Sequence, residues 1–236
     1  MSGTLYGIGV GPGDPDLLTL KAARCLAQLT VIAFPASHSG ESMALSIARP
    51  HLRADALHLP LPLTFDPAQR DDDAYDRGAE TLAAYLEKGR DVAMLCLGDP
   101  FLFGSFLYLF ARLAARFSIE VIPGITSISA CAALAGMPLA ARDDALLMVP
   151  ATRTEQDLEN LLAGCEGAVI LKIGRHLGKV RRVLDRLGLT GQAVCIERGG
   201  LSGQRIVPFD QLDTDSISYF SMILLHKRGR TWSISP

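Results

Sequence analysis

The chain has 236 residues, 49% of them hydrophobic and 20% charged, a balance that supports a sizeable core and excludes an extended disordered chain. Lys and Arg total 23 against 25 Asp and Glu, a net charge of −2, so no global basic field exists to hold a nucleic-acid backbone or an anionic membrane. The cysteines at 25, 96, 131, 165 and 195 are odd in number, widely spaced and set among apolar neighbours, which predicts buried thiols in a reducing cytoplasm, and no stretch reaches the roughly 18 apolar residues of a membrane span.

Residues 4–10 predict a strand, followed by a glycine turn and a helix over 16–28 with Leu17, Leu20, Ala23 and Leu26 at helical spacing. Further strands are predicted at 31–35, 56–63, 92–97 and 119–122, with helices at 41–52, 74–88 and 104–117. This alternation predicts a βαβ series around a mostly parallel sheet, with Pro50, Pro60 and Pro62 as its weak points. Residues 64–73 read as a polar surface connection.

The pattern then changes. A helix over 126–135 precedes a strand at 145–149, a helix at 155–162, a strand at 168–173, a helix at 177–187 and strands at 193–197, 205–209 and 219–226. The last three strands lack intervening helices, which predicts antiparallel hairpins. The fold class is therefore α/β with two domains, 1–124 around a mostly parallel sheet and 125–236 of mixed α+β character, without internal repeats. Residues 1–170 carry 12 basic and 20 acidic side chains whereas 171–236 carry 11 and 5, so the C-terminal third is expected to face something anionic.

Three segments concentrate chemistry at strand ends. In GIGVGPGDPDLLT, residues 7–19, every frame of G-x-G-x-x-G fails and the second strand ends in FPASHS without a ribose-binding acid, which excludes a Rossmann NAD site. The chain also lacks the GK[ST] of a P-loop. Four glycines in seven residues still point to a ligand close to the backbone, while Asp14 reads either as part of that site or as a helix cap with Pro15 at the first helical position. In VAMLCLGDPFLFG an almost wholly apolar strand runs into Gly98-Asp99, placing Asp99 at the carboxyl end of a parallel sheet as a ligand contact or a cap. In IEVIPGITSISACAA a Pro123-Gly124 turn leads to the Thr126 and Ser127 hydroxyls. The five histidines have no metal-ligand spacing, no metal is expected, and no GxSxG or HExxH motif supplies hydrolytic chemistry.

In order along the chain, GIGVGPGDPDLLTLKA, LGDPFLFGSFLYLF, VIPGITSISA and MPLAARDDALLMVPAT resemble the tetrapyrrole (class III) methyltransferases that use S-adenosylmethionine (SAM). The resemblance covers nearly the whole chain. The extended GDPFLFGSFLYLF and PLAARDDALLMVPAT are similar to the branch that methylates precorrin-2 at C20, giving precorrin-3A in cobalamin (corrin ring) biosynthesis. A cobalt-precorrin-2 enzyme of the anaerobic branch shares these motifs, and a macromolecule methyltransferase of the same superfamily is the remoter alternative.

The resemblance implies two α/β domains with SAM in the cleft between them, S-adenosylhomocysteine as product, a precorrin-2-like tetrapyrrole as partner and a cytoplasmic homodimer. It places SAM contacts at Pro12, Leu97, Gly98, Asp99, Leu102, Thr126 and Ser127, with looser matches at Lys172, Ile173, Gly199, Ser221 and Met222. Leu97 stands where the family usually has an acidic residue or Gly. Because the substrate is a polycarboxylate, Gly11 in the first loop and Arg142, Arg153, Arg175, Arg198 and Arg205 are expected to line it, the arginines as carboxylate forks. A sulfonium already provides a good leaving group, so no protein nucleophile is expected; His38, Tyr108 or a substrate nitrogen is the candidate base.

Overall fold

The computed structural model describes residues 2–37, 40–63, 72–212 and 217–229. The chain divides into two compact units, Met1–Ser127 and Ile128–Pro236.

The first unit alternates β1 (Thr4–Gly9), α1 (Leu20–Leu26), β2 (Val31–Pro35), α2 (Met43–Ala48), β3 (Leu57–Leu61), α3 (Asp72–Leu86), β4 (Val92–Cys96), α4 (Phe106–Leu113) and β5 (Ser118–Ile122). Every strand pairing is parallel, in the order β3-β2-β4-β1-β5. β2 and β4 are buried at every position, which is why both read as unbroken apolar runs. Along β4, Val92, Met94 and Cys96 pack with α3 and α4, while Ala93 and Leu95 pack with α1 and α2 on the other face.

The predicted helix over 16–28 is broken. A short turn at Pro15–Leu17 is capped by Asp14, an extended Leu18 follows, and α1 starts afresh where the Thr19 hydroxyl accepts the Ala22 N–H at 3.2 Å. Pro60 lies on β3, an edge strand, where a sheet tolerates proline, and Pro50 lies in the short turn Arg49–His51 that ends α2. Asp72 and Asp73, expected in the polar connection, form the first turn of α3, where carboxylates suit the helix N-terminus. Residues 64–71 of that connection lie outside the described residues.

The second unit follows α5 (Ser127–Ala135) with β6 (Leu146–Pro150), α6 (Glu155–Ala163), β7 (Gly167–Leu171), α7 (Leu177–Arg186), β8 (Ala193–Glu197), β9 (Arg205–Pro208) and β10 (Ser221–His226). The order is β6-β7-β10-β8-β9, with only β6 and β7 parallel. Of the predicted hairpins, β8–β9 forms; β10 instead inserts between β7 and β8. Leu158 and Leu162 of α6 and Val180, Val183 and Leu184 of α7 cover one face of this sheet against Ile170, Cys195, Ile223 and Leu225.

The charge asymmetry has a local cause. Arg182 and Arg186 on α7 pair with Glu155 and Glu159 on α6 at 2.8–2.9 Å, so bases counted after residue 170 meet acids counted before it. Much of the expected anionic partner is the neighbouring helix. Among the described residues no helix is long and apolar enough to cross a membrane and no side-chain group is arranged to hold a metal.

Candidate active site

β1 and β4 are neighbours whose connections leave the sheet toward opposite faces, α1 on one and α4 on the other. Such a switch point opens a crevice at the carboxyl ends of the strands. There the two chains stay joined past the ladder: the Val10 N–H donates to Cys96 O at 2.9 Å and the Gly98 N–H to Gly11 O at 2.8 Å. Gly11 (φ 80°) and Gly98 (φ 63°) both take left-handed backbone, which needs glycine. The loop after β5 closes over the same point, and a Cβ on Gly124 would fall 2.1 Å from Gly98 O and 2.8 Å from the Gly9 Cα.

Asp99 fastens these loops. Its Oδ1 accepts the Phe101 N–H at 2.9 Å and its Oδ2 the Gly124 N–H at 3.1 Å. It caps no helix, because Pro100 to Gly104 form a turn and α4 begins at Phe106. Asp14, by contrast, is the cap of its own short turn, accepting the Asp16 N–H at 2.9 Å. Around Gly98 the open side is bounded by Ile125 O, the Ser127 N–H and the Thr126 Cα, each 3.9 Å from where a Cβ would sit. This is a backbone cradle that includes the N–H of the first residue of a nine-residue helix, suited to a carboxylate.

The structure thus brings Pro12, Leu97, Gly98, Asp99, Leu102, Thr126 and Ser127 to three adjoining loops of the first unit. The looser matches collect at one end of the second sheet. Leu171 pairs with Met222 and Glu197 with Ser221, so Lys172, Ile173, Gly199 and the start of β10 share that end. The Ile173 and Met222 side chains are buried, so these two offer a ligand only backbone. A Cβ on Gly199 would lie 2.5 Å from the Cys131 Sγ. Burial pushes that thiol up to about 11 and Cys195 up to about 12, so neither is a thiolate at neutral pH.

Several expectations change. Gly11 is buried and its missing side chain faces Leu17 O at 3.2 Å, so its glycine serves the turn, and substrate contact is not what demands it. Arg205 donates to Glu197 at 3.0 Å, Arg198 donates Nε–H to Ser202 O at 2.7 Å within its own loop, and Arg153 faces Asp157 one helical turn on at 3.7 Å. These three have local partners, as does Arg142, and both Arg142 and Arg175 are exposed. Tyr108 packs at a tilt against Tyr75 of α3, with ring centroids 4.8 Å apart. His38 lies outside the described residues.

Reading the sequence also missed features. Gly9 and Gly124 are needed for backbone-to-backbone contact, and Phe103, in the loop after Asp99, holds φ 55°. The Pro123-Gly124 pair signalled a turn, but nothing local signals which distant loop a turn will meet.

The sequence profile of the Tetrapyrrole (Corrin/Porphyrin) Methylases matches residues 4–213. The chain belongs to the tetrapyrrole methylase family. Among its relatives, the precorrin-2 C(20)-methyltransferase of a Sinorhizobium species is 42% identical over 233 residues, covering 94% of this chain and 95% of the relative. The cobalt-precorrin-2 C(20)-methyltransferase of Salmonella typhimurium is 32% identical over 233 residues, covering 97% and 98%. This tetrapyrrole methylase is also 39% identical over 232 residues to the cobalamin biosynthesis protein CobIJ of Mycobacterium tuberculosis, covering 94% of this chain but spanning only 46% of that longer relative. The solved structure of the cobalt precorrin-4 methyltransferase CbiF shares the fold, with a TM-score of 0.76 at 23% identity over 94% of each chain.

Proposed function

We propose that this tetrapyrrole methylase transfers a methyl group from SAM to C20 of precorrin-2, in cobalamin biosynthesis, as a cytoplasmic homodimer. The observation that carries the reading is the 42% identity to a precorrin-2 C(20)-methyltransferase across both chains, together with a glycine cradle at the switch point of the parallel sheet. The lower identity to the cobalt-precorrin-2 relative, over the same length, favours the metal-free substrate.

SAM supplies a sulfonium methyl that needs no protein nucleophile. The chain's part is placement and exclusion of water. The Ser127 N–H and the Thr126 and Ser127 hydroxyls suit the methionine carboxylate, while Gly98 lets a ligand lie against the backbone. Asp99 holds the loops that form this surface. The meso carbon of the substrate attacks the methyl, the C–S electron pair goes to sulfur, and a proton then leaves C20. His38, Tyr108 or a substrate nitrogen is the acceptor for that proton.

Incubation with SAM and either precorrin-2 or its cobalt complex, followed by mass spectrometry, tests the reading. The expected result is a gain of one methyl, about 14 Da, fastest on the metal-free ring. No gain on either substrate rejects the activity, and a faster reaction on the cobalt complex reassigns the substrate.

A further inference from the structure

The turn at residues 141–144 is built more heavily than a surface loop requires. The Asp144 N–H donates to Ala141 O at 3.1 Å, and the Asp144 carboxylate accepts the Ala141 N–H at 2.7 Å, so the turn is closed from both sides. Asp144 is itself anchored from beneath. Its side chain is 3% exposed and that of His226, at the end of β10, is 0% exposed. His226 Nδ1 accepts the Arg228 N–H at 3.1 Å, which leaves Nε2–H of the neutral ring to face Asp144 Oδ2 at 3.3 Å, and the Arg228 guanidinium pairs with the other oxygen. Beside them a Cβ on Gly167 would fall 2.2 Å from Leu139 O and 3.3 Å from the His226 ring.

Inside this clamp the exposed Arg142 holds φ 53°. Among the described residues nine glycines take left-handed backbone, and four residues with side chains do so as well, Phe103, Arg142, Lys172 and Arg198; of these Arg142 is the one whose turn is closed by the buried Asp144 carboxylate. Such a conformation in a residue with a side chain persists only where its surroundings impose it, and it concentrates at ligand sites. The buried carboxylate and imidazole supply the imposition.

We propose that Arg142 recognises a carboxylate of the tetrapyrrole substrate, and that Asp144 and His226 are positioning residues that hold its backbone for that contact. The inference rests on the tetrapyrrole reading above. It makes the RDD of PLAARDDALLMVPAT a recognition turn whose second aspartate acts on the arginine two residues before it.

The test compares R142A, R142G, D144N and the R142A/D144N double variant by the KM for precorrin-2, by fluorescence titration with the octacarboxylate uroporphyrin, by the Kd for SAM and by Tm. R142G should weaken both tetrapyrrole measures about tenfold while Tm holds or rises, because glycine fits the turn and lacks the fork. D144N should weaken them several-fold, the double variant should match R142A, and the Kd for SAM should stay within about twofold throughout. Unchanged tetrapyrrole measures in R142G, or D144N and R142A effects that multiply, would overturn the proposal. Should D144N fail to fold, R142G on its exposed turn still decides. A wild-type protein that binds uroporphyrin but leaves precorrin-2 unmethylated overturns the activity alone, since the Arg142 comparison is read by binding.

Discussion

Asp99 spends both carboxylate oxygens on backbone N–H groups, one two residues ahead and one on a loop 25 residues away that lies across β1. Replacing it with Ala leaves two amides short of partners. Asp99→Ala should therefore lower stability by about 1–3 kcal/mol and, because the cradle is no longer tied, weaken SAM binding by at least about tenfold. Thermal melts and titration calorimetry read the two effects separately, and intact SAM affinity in a destabilised protein would make Asp99 structural alone. Gly124→Ala probes the same point by steric means. A methyl group 2.1 Å from Gly98 O cannot be accommodated without moving a loop, so we expect a loss of about 1–3 kcal/mol or more, with SAM binding abolished and the circular dichroism of the sheet retained. GDP after an apolar strand placed Asp99 at the sheet's carboxyl edge correctly, because burial on both faces leaves a direct trace in composition. Its hydrogen-bond partner left none, since the choice between a cap and a loop clasp is made by tertiary approach.

At the scale of elements, the β8–β9 hairpin shows what became of an arginine expected to hold substrate. Glu197 and Arg205 are direct cross-strand partners, and Glu197 is 7% exposed, accepting from both Arg205 and the Ser218 N–H. Arg205 therefore fixes hairpin register and keeps a buried carboxylate satisfied. Arg205→Ala should cost about 1–3 kcal/mol in melting experiments and leave the KM for the tetrapyrrole unchanged; a raised KM would return Arg205 to the substrate site. The sequence carried no means of telling these apart, because an arginine at a strand start looks the same whether its partner is a ligand or the opposing strand. The break between Leu17 and Leu20 was legible in principle. Thr19 is a helix-capping residue, but an unbroken run of leucines at helical spacing masked it.

The whole molecule shows a further division. The apolar alternation was enough for the number and kind of layers, yet the orders β3-β2-β4-β1-β5 and β6-β7-β10-β8-β9 come from which faces bury best together, a property that no window of sequence contains. Acid stability should depend in part on two carboxylates of the second unit. Burial pushes the Asp144 carboxyl up, but the Ala141 N–H, His226 and Arg228 pull it further down, and Arg182 and Arg186 hold Glu155 low. Both groups are thus lowered in the folded state. Their contribution is present above the ordinary carboxylate range near pH 4 and is lost as pH falls through the lowered folded values. The Tm should fall progressively below about pH 4, and less steeply in Asp144→Asn and Glu155→Gln; parallel profiles for wild type and variants would assign the acid limb to other groups.

β1 occupies an inner place in its sheet and pairs only with β4 and β5, its Leu5 beside Val92 and Ile119. During synthesis β1 therefore precedes both of its neighbours, with β2 and β3 made in between. Until β4 has emerged, this apolar segment has no native ladder to join. Slow decoding or premature termination between β1 and β5 leaves that segment unsheltered. The glycine-rich loop that follows β1 is then set in place only when the sheet's two remaining strands arrive.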